Sequence, residues 1–247
     1  MRKWKLWYLG IGILFLICGI VGAVVLNTAP DAGLAAVKSV ADLSNLQVRI
    51  NWAQGDIVYG VETEAGLEDV ETASSVLEDL VNNQQDYIEQ AVASDLVVLA
   101  TATGDLDITD STMGQKIVVD QVLQGDDLLS AGSTCMVWVA YGLQVMDGEI
   151  VYRNSLNLMQ PGTQYLIFLE NNSLNEVTGE KNFGVVSSQF GYLPVPFTPD
   201  TPLPDANRCG DYAVWAQYPA FVATDEIAEA RNQIVQNLLH MYGFYEG

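Results

Sequence analysis

The chain has 247 residues, of which 49% are hydrophobic, and it carries 31 acidic against 10 basic residues for a formal net charge of −21. This length and hydrophobic content allow one sizeable folded core and exclude a wholly disordered acidic tail. The charge repels phosphates and so argues against nucleic-acid binding; it serves solubility and favours a cationic ligand or a basic protein surface as partner.

The N-terminal segment is basic and then apolar. Three of the first five residues are basic, and the 21 residues from Leu6 to Leu26 carry no charge. As a helix, such a stretch is long enough to cross the ~30 Å hydrocarbon layer of a membrane, and its basic flank stays on the cytoplasmic side. The sequence predicts a transmembrane helix over 6–26, a cell-membrane localisation, and an extracytoplasmic domain after Asn27.

The same leader allows a second interpretation, a cleaved signal peptide. Val21-Gly22-Ala23 offers a small-residue cleavage site. The apolar run continues beyond it to Leu26, which favours the retained helix.

Residues 27–93 are predicted to form a stalk, a hairpin and a helical segment. Val48, Ile50 and Trp52 alternate with polar residues ahead of a turn at 53–56, which indicates a hairpin. Apolar residues then recur at helical spacing over 67–92, with a break near Asn82-Asn83.

Residues 94–195 have the period of strands. Gly, Asp and Asn clusters separate the apolar runs, which is typical of a small antiparallel barrel or sandwich. The predicted strands are Leu96 to Thr103, Lys116 to Leu123, Thr134 to Tyr141, Tyr165 to Leu169, and Phe183 to Leu193.

The C-terminal part is predicted to be a proline-rich surface connector, 196–224, and an amphipathic helix, 225–247. Prolines between Pro194 and Pro204 exclude this stretch from the interior of a sheet. Thr224 is a suitable helix N-cap. The apolar stripe of the helix is Ile227, Ala230, Ile234, Leu238 and Met241.

Three stretches carry a resemblance to known modules: Ser94 to Leu99, Val119 to Asp126, and Leu158 to Leu169. Their pattern of buried strands and turn glycines resembles bacterial extracytoplasmic OB-like barrels and is similar to the netrin and metalloproteinase-inhibitor modules. The resemblance implies a fold of class α+β, with a small antiparallel OB-like β-barrel over 94–195 flanked by helices and preceded by the transmembrane helix.

The resemblance does not transfer an activity. Inhibitors of that family use an N-terminal cysteine to bind the target's zinc, whereas this chain begins with an apolar segment. Gln124 also stands where the bacterial modules usually have a basic residue.

A catalytic set is not evident in the sequence. Nucleophilic catalysis needs a histidine or an activated lysine beside the nucleophile, and the chain has one histidine, His240, near the end of the predicted C-terminal helix. We therefore expect no enzyme activity and assign no catalytic residue.

One acidic cluster is a candidate metal site. Asp105, Asp107 and Asp110 lie within six residues, and carboxylate-rich loops can bind calcium. Their spacing does not fit the EF-hand loop, so a solvated hairpin loop is the simpler interpretation and no cofactor is otherwise expected.

Two cysteines and three aromatic residues complete the candidates. Cys135 and Cys209 could form one disulfide outside the cytoplasm, the alternative being that Cys135 is a small core residue. Trp138, Tyr141 and Tyr152 are candidate ligand-binding aromatics on the middle strands, with core or rim packing as the alternative.

The leading hypothesis is a membrane-anchored extracytoplasmic binding or scaffolding protein. One rival is a metal-dependent surface hydrolase that uses the three aspartates. The other rival is an accessory subunit of a membrane complex, because small residues in the apolar leader would let another helix approach closely.

Overall fold

A computed structural model of the chain describes residues 32–50, 80–109, 112–140, 142–146, 149–170, 181–203, 209–222 and 224–245. The helices named here are α1 (Ala32–Ala35), α2 (Val40–Leu43), α3 (Gln84–Val92), α4 (Tyr212–Trp215) and α5 (Asp225–Met241). The strands are β1 (Gln47–Ile50), β2 (Leu96–Ile108), β3 (Thr112–Gln124), β4 (Thr134–Ala140), β5 (Leu143–Met146), β6 (Glu149–Tyr152), β7 (Gln164–Glu170), β8 (Lys181–Val185), β9 (Tyr192–Val195) and β10 (Cys209–Asp211).

The described strands form two sheets. The smaller sheet has the order β10-β1-β6-β5, and the larger has the order β2-β3-β4-β8-β7-β9. Strand β2 also pairs with β7, so the pairings from β2 through β3, β4, β8 and β7 form a closed circuit. Each sheet contains one parallel pair, β1 with β6 and β4 with β8, and the remaining pairs are antiparallel.

Strands β2 and β3 are long and irregular, which allows the circuit to close. Each has 13 residues, and their register shifts at three places along the pair. One shift lies between Ala102 and Leu106 and includes Gly104, whose φ is +91°. A Cβ at Gly104 would also lie 2.6 Å from Cγ of Pro161. A glycine is therefore required where β2 bends towards the turn before β7.

The larger sheet is buried on both faces along β2 and β7. Val98 and Ile167 belong to the main core, whereas Val97 and Phe168 belong to a second core beneath α3 and α5. Strands covered on both faces have continuous apolar runs instead of alternating ones, which explains the composition of Leu96 to Ala100.

The segment between β6 and β7 joins the two sheets through Asn157, which is 1% exposed. Its amide Nδ2 donates to the carbonyls of Trp215 at 2.8 Å and Tyr218 at 2.7 Å. Its Oδ1 accepts from the Tyr212 hydroxyl at 2.8 Å, and its backbone carbonyl accepts from the Tyr192 hydroxyl at 2.6 Å. Asn157 thus connects α4, which directly follows β10 of the smaller sheet, to β9 of the larger sheet.

A buried ion pair fastens the proline-rich connector to α5. Arg231 and Asp200 are 3% and 4% exposed, and the Arg231 guanidinium donates to the Asp200 carboxylate. Asn232 accepts from the Asp200 backbone N–H at 2.8 Å, and Arg231 Nε donates to the Gln189 carbonyl at 2.7 Å. The connector therefore follows one side of α5.

The predicted fold class is wrong. In place of a transmembrane helix and a small antiparallel OB-like barrel flanked by helices, the structure is a mixed, strand-rich arrangement of two sheets with parallel pairs. Within the described ranges, no helix has both the length and the apolar character needed to span a membrane. The predicted span, 6–26, lies outside those ranges. The sequence predicted a strand at β1 but not the second sheet, because its strands have four residues or fewer and β1 pairs with β6 and β10, which lie far from it in the chain.

Individual elements agree with the sequence to different extents. Thr224 caps α5 by accepting from the Ile227 N–H at 3.3 Å, as predicted, but Met241 of the predicted stripe is 57% exposed.

The predicted strand Phe183 to Leu193 is split into β8 and β9. Pro194 lies within β9, which is an edge strand of the larger sheet. At an edge position the missing N–H of a proline removes no hydrogen bond from the ladder. The second half of the predicted hairpin lies outside the described residues.

We expect Asn157→Ala to lower the free energy of unfolding by about 2–4 kcal/mol, because it leaves several buried polar groups without a partner. Urea denaturation would measure the change. Gln85→Ala is the control: its exposed amide donates to Glu89 at 3.1 Å, and its loss should cost about 0.5 kcal/mol or less. Equal effects of the two substitutions would contradict the role of Asn157.

Candidate functional site

A groove with both polar and apolar surface lies between α1, the end of β2 and β5, and we name it the α1–β5 groove. It has a volume of about 390 Å³. Its apolar lining comes from three elements, and Thr109 and Gln144 are the polar lining residues. The apolar lining residues are Leu34 and Ala35 from α1, Ile108 from β2, and Leu143 and Val145 from β5.

One wall of the groove is the strand β5, which forms a hairpin with β6. Leu143 lies opposite Tyr152, and the Arg153 N–H donates to the Gly142 carbonyl at 3.1 Å. In an antiparallel ladder this bond makes Leu143 and Tyr152 a non-hydrogen-bonded pair. The backbone N–H and C=O of Leu143, and of Val145 two residues later, therefore point away from β6.

The opposite wall is α1, and the connection that follows it to α2 is attached to β2. The Leu106 N–H donates to the Lys38 carbonyl at 2.8 Å. The Asp42 carboxylate accepts from the backbone N–H of Lys38 at 3.0 Å and from the hydroxyl of Ser39 at 2.9 Å. These bonds to the ionised carboxylate lower the pKa of Asp42.

The tip of the β2–β3 hairpin forms the third wall. The Thr109 N–H donates to the Thr112 carbonyl at 2.9 Å, and the Thr112 N–H donates to the Thr109 hydroxyl at 3.0 Å. This reciprocal pairing closes the hairpin and fixes Ile108 beside the groove. Hydrogen bonds in these connections thus hold the elements that surround the groove in place.

The predicted metal site is not assembled by the described residues. Asp105 and Asp107 are exposed along β2, and the Asp105 N–H donates to the Thr103 hydroxyl at 3.1 Å. Asp110 lies outside the described residues. In the part of the chain that the structure describes, no group of three or more His, Cys, Asp or Glu side chains is placed to hold a metal ion.

The predicted aromatic site is divided between different environments. Tyr152 is 0% exposed, and its hydroxyl donates to the Leu156 carbonyl at 2.7 Å, which is the core packing that the sequence offered as the alternative. Trp138 is half-buried on β4, and its Nε1–H donates to Asn182 Oδ1 at 2.9 Å. Tyr141 lies outside the described residues. Val151 and Tyr152 are both buried at the end of β6.

The predicted disulfide is not formed, and both thiols are free. Cys135 is buried on β4 in the larger sheet, whereas Cys209 is exposed on β10 in the smaller sheet. Burial raises the pKa of the Cys135 thiol to about 12. Cys135 is therefore the small core residue that the alternative described.

Sequence reasoning missed the groove. Its β5 wall comes from a segment that was not predicted as a strand, although Leu143 and Val145 alternate ahead of Asp147-Gly148 and Ile150 and Tyr152 alternate after it. An Asp-Gly pair between two alternating runs is a strong hairpin signal. The only histidine, His240, is exposed in the last turn of α5, away from the groove's lining.

We expect the two thiols to differ strongly in reactivity at pH 7. A pKa near 12 in place of the ordinary ~8.5 lowers the thiolate fraction of Cys135 by about 10³, and burial hinders access further. Maleimide labelling followed by peptide mass spectrometry should find Cys209 modified at least about 10²-fold faster than Cys135. Comparable rates before denaturant is added would contradict the burial of Cys135.

Comparison of the chain with models of protein families gives no match. Comparison with the curated proteins gives no significant match either.

Proposed function

We propose that the described part of the chain is a non-catalytic binding module that acts outside the cytoplasm and receives an apolar group of its ligand in the α1–β5 groove. The groove is the observation that carries the proposal. Its volume of about 390 Å³ lies within the ~300–1,000 Å³ that is usual for ligand sites.

The composition of the groove supports binding in preference to catalysis. Among the described residues, five apolar ones and the polar Thr109 and Gln144 line the groove, so its surface can contact both apolar and polar groups of a ligand. Among the described residues that line the groove, none is a histidine, cysteine, lysine or carboxylate that could act as a nucleophile or a general base. A metal-dependent hydrolase is less well supported, because the described aspartates spread along an exposed strand.

Location outside the cytoplasm is supported by the leader. The basic residues at the start and the 21 uncharged residues up to Leu26 are features that direct export of the following chain. The acidic composition of the remainder suits an exposed, soluble surface.

We expect Ala35→Trp to block the groove, because Ala35 is an exposed lining residue and an indole would occupy the space that a ligand needs. A small uncharged diazirine probe, activated by light on the full chain and mapped by mass spectrometry, should label residues 34–35, 108–109 and 143–145. In Ala35→Trp this labelling should fall at least about fivefold.

Ala36→Trp is the matched control. Ala36 is the next residue, is also exposed, and does not line the groove. Its substitution should leave the labelling unchanged. Absence of labelling in the unsubstituted protein, or equal losses in both variants, would refute the groove as a binding site.

We expect a membrane-impermeant maleimide added to intact cells to modify Cys209, because its thiol is free and exposed. Cys209→Ser should abolish that modification, and the buried Cys135 should react only after lysis and denaturation. Modification of Cys209 only after lysis would show that this part of the chain lies inside the cell.

A further inference from the structure

We propose that the natural ligand of the α1–β5 groove is a small anionic amphiphile, a single-chain carboxylic acid whose apolar chain lies in the groove and whose carboxylate binds Arg153. This inference rests on the proposed binding function and specifies its ligand. It follows from the charged side chain beside the groove, the arrangement of the neighbouring acids, and the size and mixed surface of the groove.

The first observation is the position of Arg153 at the β5 wall. Its Nη1 donates to Oε1 of the lining residue Gln144 at 3.2 Å. Its backbone N–H donates to the Gly142 carbonyl at 3.1 Å, which holds the residue next to the start of β5. A guanidinium is planar, stays charged at physiological pH and has five N–H donors, so it can bind several partners at once.

The second observation is that the described acids around the groove are turned away from it or bonded elsewhere. Asp105 and Asp107 lie on the face of β2 opposite the lining residue Ile108, because side chains alternate along a strand. The Asp42 carboxylate accepts from the backbone N–H of Lys38 at 3.0 Å, within the connection that follows α1. These acids therefore do not face a ligand in the groove.

Glu149, on the strand that pairs with β5, has a cationic partner of its own. Its carboxylate accepts from Nε of Arg49 at 2.8 Å and from Nη2 at 3.0 Å. This two-bond pairing neutralises Glu149, so the acid does not oppose an anion bound beside Gln144. Among the described residues, the charge next to the groove is that of Arg153.

The net charge of −21 does not decide which ligand the groove takes. Mobile ions screen charges over about 8 Å at physiological ionic strength, so exposed acids farther away act weakly on a bound ligand. A guanidinium that donates directly to a carboxylate acts at hydrogen-bond distance, where the attraction is strong. The acidic surface favours cations elsewhere on the protein, whereas Arg153 would repel a cation in the groove.

The third observation is the size and mixed surface of the groove. Its volume of about 390 Å³ is near the lower end of the ~300–1,000 Å³ of ligand sites, which suits one short chain better than the two chains of a phospholipid. The apolar lining residues can contact that chain. Gln144, which is bonded to Arg153, marks the end of the groove where the carboxylate binds.

Octanoate and octanamide test the charge of the ligand, because they have the same chain and differ in the carboxylate. On the full chain in a nonionic detergent, octanoate should protect residues 143–145 from the diazirine probe with an apparent dissociation constant below about 1 mM. Octanamide should bind at least about fivefold more weakly, because it cannot form charge-assisted hydrogen bonds with Arg153.

Arg153→Gln tests the protein's side of the same interaction. Octanoate affinity should fall at least about fivefold, to the level of octanamide, whose own affinity stays unchanged. Arg49→Gln is the matched control, because it also removes one positive charge from the smaller sheet, but Arg49 is bonded to Glu149 and not to a lining residue. It should change octanoate affinity by less than about twofold.

The outcomes separate this inference from the proposed function. Groove labelling that octanoate does not reduce, equal protection by the two probes, or an unchanged preference in Arg153→Gln would overturn the anionic ligand alone. Equal losses in Arg153→Gln and Arg49→Gln would attribute the preference to net charge and overturn the role of Arg153. Absence of groove labelling in the unsubstituted protein would overturn the binding function as well.

Discussion

The arrangement of the two sheets depends on the buried hydrogen bonds of Asn157. A buried amide that lacked partners would cost several kcal/mol, so the segment that carries it can adopt only a path on which both its N–H₂ and its oxygen are paired. Tyr212 and Tyr192 complete the network. Their hydroxyls donate to Asn157, and burial raises the pKa of both tyrosines further above its ordinary value.

This network determines where the groove can form. It lies at the centre of the segment that leaves β6 and enters β7, and it thereby sets the smaller sheet against the closed circuit of the larger one. Trp215 strengthens the arrangement, because its Nε1–H donates to the Val48 carbonyl at 3.1 Å. With β1 and β6 held in place, β5 remains at the outer edge of the smaller sheet. Helix α1 and the end of β2 enclose the space beside β5.

The buried pair Arg231–Asp200 has a different role. Two charges removed from water contribute little net stability, but the loss of one partner is costly, so such a pair specifies a position more than it stabilises the fold. One oxygen of Asp200 and one nitrogen of Arg231 have no hydrogen-bond partner within the described residues. The pair fixes the connector on α5, on the far side of the larger sheet from the main core.

The sequence by itself determined the local features that depend on neighbouring residues: the cap of α5 at Thr224 and the buried runs of β2 and β7. These follow from backbone chemistry and periodicity over a few positions. Only the tertiary structure decided that four short strands from distant segments form a second sheet, that Tyr152 faces the core, and that Cys135 and Cys209 lie on different sheets. A strand of three or four residues carries too little periodic signal to identify its partner in the sheet. The strand β1 pairs with β6 and with β10, and both of these partners lie more than 50 residues away in the chain. The groove belongs to this second group, because its walls come from three elements that meet only when the sheets assemble.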